Sequence, residues 1–343
     1  QWFGYSKNPL LSSQSMAQNL FIRVDLKKTD AVSVVASAAL KNENATLDIA
    51  GKITAMFAQN EIPVGGAFVK VRGTNIVSKT APDGAYKINL PDGSKAALLE
   101  VTAAGFYPSI AQIHSVRDGP VNIEIASREA IEKMAISVGV RQISAKSVFI
   151  AKAINKNKKP LSGMTAQITL KNEGPFYFSD EGYPNGSGNQ RNTGNDGRLI
   201  FFNVDPGVGL LETNLQGENI APILVSAIDG GDLIYKELEP VDARIQGRIF
   251  DPITKSGTPT PIVAARIKAE GSAEWTTTDA FGAFELPELK FINNEQVAIE
   301  LGAEQYYNHR YIMRINALQE SKENKPPHDY FAFQKKFINS WAN

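Results

Sequence analysis

One short pattern occurs three times along this chain and narrows the folds open to it. It reads Thr80-Ala-Pro-Asp-Gly84-Ala-Tyr86-Lys-Ile88, then Thr193-Gly-Asn-Asp-Gly197-Arg-Leu199-Ile-Phe201, then Thr278-Asp-Ala-Phe-Gly282-Ala-Phe284-Glu-Leu286. Each time Gly follows Thr by four positions, and an apolar residue follows Gly by two. A glycine corner ahead of largely alternating apolar and polar residues is a tight turn feeding a half-buried strand, because Gly takes a positive φ that a Cβ resists. Three copies of one β unit follow from this, and they constrain the fold far more than the function.

The length of 343 residues allows two or three domains at about 100 to 200 residues each. The three motif copies favour three. Apolar residues make up 43 % and charged ones 21 %, enough apolar material for several small cores and too little charge for a disordered chain. With 36 basic and 36 acidic residues, and a longest cationic run, Lys156 to Lys159, broken by an Asn, nothing points to a nucleic-acid partner. There is no cysteine, which excludes disulfides, thiolate metal sites and cysteine nucleophiles. No run of about 18 apolar residues marks a membrane-spanning helix. The chain opens on Gln1-Trp-Phe-Gly-Tyr5, without an initiator Met or the regions of a secretion signal. It is read as a mature or truncated product, with any signal or lipid anchor removed upstream.

In chain order, residues 1–46 form an N-terminal extension. Leu20 to Leu26 reads as a strand, and Ala31 to Leu40 as a strand with a helix as the competing reading. Residues 47–128 contain six or seven short strands punctuated by Gly, Pro and Asp, the pattern of a small sandwich. The segment from Arg128 has apolar spacing suited to one or two helical turns. Residues 129–243 hold the second copy, in which an insertion, 173–191, separates the strand at Ala166 from the hairpin at Thr193. Residues 244–318 hold the third. A polar linker and a helix complete the chain: Tyr330, Phe333, Phe337 and Trp341 fall at offsets of 0, 3, 7 and 11 behind Asp329 as N-cap, giving one aromatic stripe.

The third copy, with Gly247, Asp251, Ala265, Ile267, Thr278, Asp279, Gly282 and Phe284, resembles the carboxypeptidase regulatory-like domain, a transthyretin-like, prealbumin-type β-sandwich found in tandem in bacterial envelope and secreted proteins. The first copy is similar at Gly51, Gly66, Ala67, Val69, Thr80, Gly84 and Tyr86, with Ala81 in place of the Asp after Thr. In the second, Thr193 and Gly197 fit while Gly194 follows Thr; it is either a divergent relative or another sandwich type. The resemblance covers about two thirds of the chain and implies a fold rather than an activity.

The chemistry-bearing residues are sparse. His114, His309 and His328 have no partner at helical spacing, so no zinc-protease motif is present. There is no nucleophile elbow and no phosphate loop ahead of a helix. Asp229-Gly-Gly-Asp232 with Glu237, Glu239 and Asp242 could gather calcium ligands, but a hairpin turn explains the first four without an ion. Asp83 and Asp196 read as turn residues. The insertion carries Phe176, Tyr177, Phe178 and Tyr183 among Gly, Pro and Asn. Such rings can stack on sugars, or Phe176 and Phe178 can extend the strand from Ala166 and cap the core. The stripe of Tyr330, Phe333, Phe337 and Trp341 would dock on the third domain or on a partner.

The expectation is therefore an all-β chain of tandem Ig-like or prealbumin-like β-sandwich domains with a short C-terminal helix. It is expected to be non-enzymatic, without cofactor or metal, and to act outside the cytoplasm, at a bacterial cell surface, in the periplasm or secreted. Its expected role is adhesion or protein assembly, with a protein partner or a surface glycan and contact with a membrane only through a removed anchor. The alternatives are a carbohydrate-binding protein using 173–191 and an accessory region of a larger enzyme.

Overall fold

The computed structural model describes residues 46–57, 61–91, 97–113, 120–186, 190–227, 230–252, 258–287, 289–314 and 328–332. The strands expected at Leu20–Leu26 and Ala31–Leu40 lie outside them.

The first unit comprises β1 (Thr46–Ala55), β2 (Phe68–Val71), β3 (Val77–Lys79), β4 (Ala85–Pro91), β5 (Ala97–Thr102), β6 (Ser109–Ile113) and β7 (Ile123–Ile125). They form two sheets, β4-β1-β7 and β3-β2-β5-β6. Alternation decides which side chains meet between them. Ile49 and Ile53 of β1 and Val69 and Val71 of β2 are buried in one core with Tyr86, Ile88, Leu99 and Val101.

A helix, α1 (Arg128–Ser137), follows, longer than the one or two turns expected. Ser127 caps it, its Oγ accepting from Ala130 N–H at 3.1 Å. The second unit then runs through β8 (Ser147–Ala153), β9 (Met164–Ile168), β10 (Glu173–Phe178), β11 (Pro184–Asn185), β12 (Arg198–Val204), β13 (Gly207–Leu215), β14 (Glu218–Ala227) and β15 (Leu233–Leu238). A short connector strand, β16 (Pro240–Ala243), leads to the third unit: β17 (Gln246–Asp251), β18 (Thr260–Pro261), β19 (Arg266–Ala269), β20 (Thr276–Thr277), β21 (Ala283–Glu285), β22 (Leu289–Ile292), β23 (Gln296–Gly302), β24 (His309–Arg314) and β25 (His328–Phe331).

The recurring pattern does the same work in all three units. Thr80 Oγ donates to Val64 O at 2.7 Å and accepts from Ala67 N–H at 2.9 Å. Thr193 does so with Leu161 O at 2.9 Å and Met164 N–H at 3.0 Å, and Thr278 with Ile262 O at 2.7 Å and Ala265 N–H at 2.9 Å. All three hydroxyls are buried and bonded both ways, as burial of a polar group demands. The motif glycines sit at φ of 77°, 71° and 73°. A Cβ there would come within 2.4 to 2.5 Å of the carbonyl oxygens of Ile53, Ala153 and Ile249 on the opening strand of each unit. The second unit is thus built on the same hairpin as its neighbours.

The closing strand also recurs. Ile123 of β7 pairs in parallel with Ile53, Leu238 of β15 with Ala153, and Tyr330 of β25 with Ile249. This corrects the reading of the chain's end: His328–Phe331, expected to begin a helix with Asp329 as N-cap, is the strand that closes the third sandwich. Tyr330 and Ala332 are buried while Asp329 is exposed, a period of two. Phe333, Phe337 and Trp341 lie outside the described residues.

The insertion is likewise a correction. It is not a long loop: residues 173–178 are β10, which pairs antiparallel with β12, and β11 turns back on β10. Both faces of this sheet are covered, which is why β8 and β12 read as continuous apolar runs. Phe149, Ala151, Leu199 and Phe201 face the inner core, and Val148, Ile150, Ile200 and Phe202 face Ile131 and Met134 of α1.

Sheets run across both unit boundaries. β6 of the first unit pairs in parallel with β15 of the second, joining their sheets into one of nine strands. β14 of the second pairs in parallel with β22 of the third. Tyr107 and Met56 of the first unit share a buried cluster with α1, Phe178 and Leu233, and one core runs through the second and third units.

Candidate functional site

The insertion's four aromatic residues separate by strand alternation. Tyr177 faces the inner core, 4 % exposed, and its hydroxyl accepts from Ala166 N–H at 3.2 Å. Burial pushes its phenol pKa up. Phe178 faces the other way, fully buried, stacked on Phe57 of the first unit with ring centroids 5.8 Å apart. The Arg198 guanidinium lies 4.6 Å from the Phe178 ring and 5.3 Å from that of Phe57, so a cation joins both rings. Phe176 is half-buried against Phe202 at 5.9 Å. Tyr177 and Phe178 are thus committed to a core and to the boundary between the first two units, while Phe176 packs on Phe202 and stays partly exposed.

Tyr183 alone of the four is exposed, at 54 %. It sits in the β10–β11 turn, where Ser179 N–H donates to Tyr183 O at 2.8 Å and Gly182 N–H to Ser179 O at 3.0 Å. Gly186 brings the hairpin against the end of α1; a Cβ there would lie 3.0 Å from Val138 Cα. Hairpin and helix end enclose an open groove of about 560 Å³ lined by Ser137, Val138, Ser179, Glu181, Tyr183 and Asn185 among others. One ring face beside hydroxyl, amide and carboxylate groups can stack on a sugar and bond its hydroxyls.

A second, smaller depression of about 280 Å³ lies over β9 and β13, lined by Thr165, Gln167, Glu212, Asn214 and Asn219 among others. It contains no aromatic ring. Sequence reasoning passed over it, because outward polar residues on alternating strands look like any solvated face.

Of the C-terminal stripe, Tyr330 belongs to the third unit's core, edge-on to Tyr311 at 5.0 Å and 5.7 Å from Phe284. The Tyr311 hydroxyl donates to Phe331 O, tying β24 to the closing strand across the core. Asp329 pairs with Arg248 of β17, the shorter contact being 2.9 Å.

The titratable candidates are occupied by structural tasks. Glu239 and Glu237 lie 2.9 and 3.7 Å from Lys158, and Asp242 3.6 Å from Lys290. Asp232 is buried, and Asp229 lies outside the described residues. Asp83, Asp196 and Asp279 accept backbone N–H bonds within their turns at 2.8 to 3.1 Å. His309 lies on β24 with its pKa pushed down by burial; His328 opens β25, and His114 lies outside the described residues. Among the described residues no group of three or more His, Cys, Asp or Glu side chains is placed to hold a metal ion.

No family model matches this sequence, and no curated protein matches it. Among solved structures, similarity is found to a streptococcal ancillary pilin, at 10 % identity over 84 % of this chain and 99 % of that one, with a TM-score of 0.23. The full-length major pilin SpaD of Corynebacterium diphtheriae is similar at 10 % identity over 87 % and 100 %, with a TM-score of 0.20. The shaft pilin SpaA of Lactobacillus rhamnosus GG is similar at 13 % over 85 % and 98 %, with a TM-score of 0.19. Nothing about role follows from likenesses this distant.

Proposed function

We propose that this chain is a non-enzymatic bacterial protein of the cell envelope or extracellular space, working in adhesion or protein assembly, and that its units are relatives of the carboxypeptidase regulatory-like sandwich. The observation that carries this reading is the construction of the unit boundaries. Each is crossed by a strand pairing and backed by buried side chains, whereas domains meant to move against one another usually meet through small polar contacts. Units welded in this way transmit force and hold binding surfaces at fixed spacing, the demand placed on a surface appendage. Antibody labelling of intact cells, with a cytoplasmic protein as control, tests it: label on the outside is expected, and a chain confined to the cytoplasm would refute it.

A second reading rests on the Tyr183 groove, where one exposed ring beside hydroxyl, amide and carboxylate groups supports binding of a sugar. Glycan binding that quenches tyrosine fluorescence and disappears in Tyr183→Ala would support it, and equal binding by the variant would remove the groove from consideration.

A further inference from the structure

Where the β10–β11 turn meets the end of α1, the hydroxyl protons around the Tyr183 groove are already spent inside the protein. Ser137 Oγ donates to Met134 O at 2.7 Å, within its own helix. Ser179 Oγ donates to Tyr183 O at 3.2 Å, beside its backbone N–H at 2.8 Å. A hydroxyl has a single proton, so both serines present only lone pairs to the groove. The nearby backbone donors are turned inward too, Gly182 N–H onto Ser179 O at 3.0 Å and Val138 N–H onto Ala135 O at 3.2 Å.

The charge around the groove has one sign. Among the described residues that line it, Glu181 alone is charged; it is exposed, and no described Lys or Arg pairs with it. The cations nearby are engaged elsewhere. Lys133, one helical turn before Ser137 and within electrostatic reach of Tyr183, is held by Glu129 at 2.6 Å. Arg198 is held by Asp196 at 2.8 Å and lies on the Phe178 and Phe57 rings. Asp180, beside Glu181 in the turn, adds negative charge and accepts from the Asn195 amide at 3.2 Å. No basic residue occupies the last turn of α1, so the negative end of the helix dipole is left uncompensated at Ser137 and Val138.

We infer that this groove takes a glycan bearing a free amine, its ammonium set between the Glu181 carboxylate and the end of α1 and its ring against Tyr183. The inference rests on the sugar reading above and names the class of sugar. A sugar hydroxyl donates and accepts equally, whereas a primary ammonium has three donors, no acceptor and the complementary charge. Lone pairs on two serines, one unpaired carboxylate, a helix C-terminus and an exposed phenol ring, which attracts cations to its face, all favour the ammonium. An N-acetyl group at the same position would bring a carbonyl oxygen to a surface rich in acceptors. The volume of about 560 Å³ suits a small ligand rather than a docked protein face.

Calorimetric titration of the full chain with a glucosamine tetramer carrying free amines, with its N-acetylated counterpart and with trilysine tests this. The free-amine tetramer is expected to bind about fivefold more tightly than the N-acetylated one. Glu181→Gln should remove that preference without weakening the N-acetylated tetramer, and Tyr183→Ala should abolish binding of both. Both side chains are exposed, so the variants should fold as the wild type does, which their thermal unfolding checks. Equal affinity for the two tetramers, or a preference that survives Glu181→Gln, overturns the amine while leaving the sugar reading in place so long as binding needs Tyr183. A chain that binds neither tetramer overturns both. Binding of trilysine that needs Tyr183, with neither tetramer bound, would assign the groove to a basic peptide and overturn the sugar.

Discussion

Lys236 of β15 places its ammonium 2.6 and 2.8 Å from the two carboxylate oxygens of Glu295, in the turn between β22 and β23, with side chains only 15 % and 8 % exposed. The pair fastens the second unit to the third beside the bond from Asn293 N–H to Glu239 O at 2.9 Å. Removing one partner strands a charge away from water. Glu295→Ala is expected to lower stability by about 3 kcal/mol, whereas Lys236→Met with Glu295→Leu should be nearly neutral. Urea unfolding of the three proteins at neutral pH checks both; a single variant as stable as the wild type would show that the pair is solvated.

The motif threonines give a comparison repeated within one molecule. Thr80→Val, Thr193→Val and Thr278→Val each keep the side-chain shape and delete a hydroxyl that donates once and accepts once in a buried place. Each should cost about 2 kcal/mol, and the serine variants much less. A harmless Thr193→Val would mean that the second hairpin is held differently.

Phe178 and Tyr183 stand five residues apart in the same hairpin and should behave oppositely. Phe178→Ala removes a fully buried ring with its contacts to Phe57 and Arg198, and should cost about 3 to 5 kcal/mol. Tyr183→Ala, at an exposed site, should stay within about 0.5 kcal/mol of the wild type. Thermal unfolding separates them, and comparable losses would contradict the assignment of Phe178 alone to the unit boundary.

His309 supplies the pH prediction. Burial holds its pKa below the ordinary value of 6.5, so the unfolded chain takes up a proton before the folded one does. Stability from this group is present above 6.5 and is lost as pH falls from there through the folded pKa. His309→Gln should flatten that part of the stability curve in denaturant titrations at successive pH values. A slope unchanged by the substitution would assign the loss to other groups.

How far the molecule could be read from its residues depended on how local each interaction is. The Thr–Asp–Gly hairpins were legible because their partners lie close along the chain: Asp279 bonds within its own turn, and Thr278 reaches back only 13 and 16 residues. The candidate site was legible only in part. Exposed Tyr183 was among the residues singled out, but it came with three rings that the fold uses for packing, and the far side of its groove, Val138 at the end of α1, is brought there by tertiary contact.

The sequence by itself determined three β units and the turn chemistry that starts each closing hairpin, because glycine's positive φ and a short polar side chain act through nearby backbone. Tertiary structure alone decided what the chain's two departures from the repeat are for. Tyr330 fits a stripe of period 3.6 as well as an alternation of period two, and its partner strand β17 lies 81 residues away. The choice between helix and strand was made by the unfilled place beside Ile249. Phe178 could have faced either side of its sheet. The register of β10 on β12 turned it toward α1 and Phe57, so the insertion that looked most like a binding loop became part of the joint between the first unit and the second.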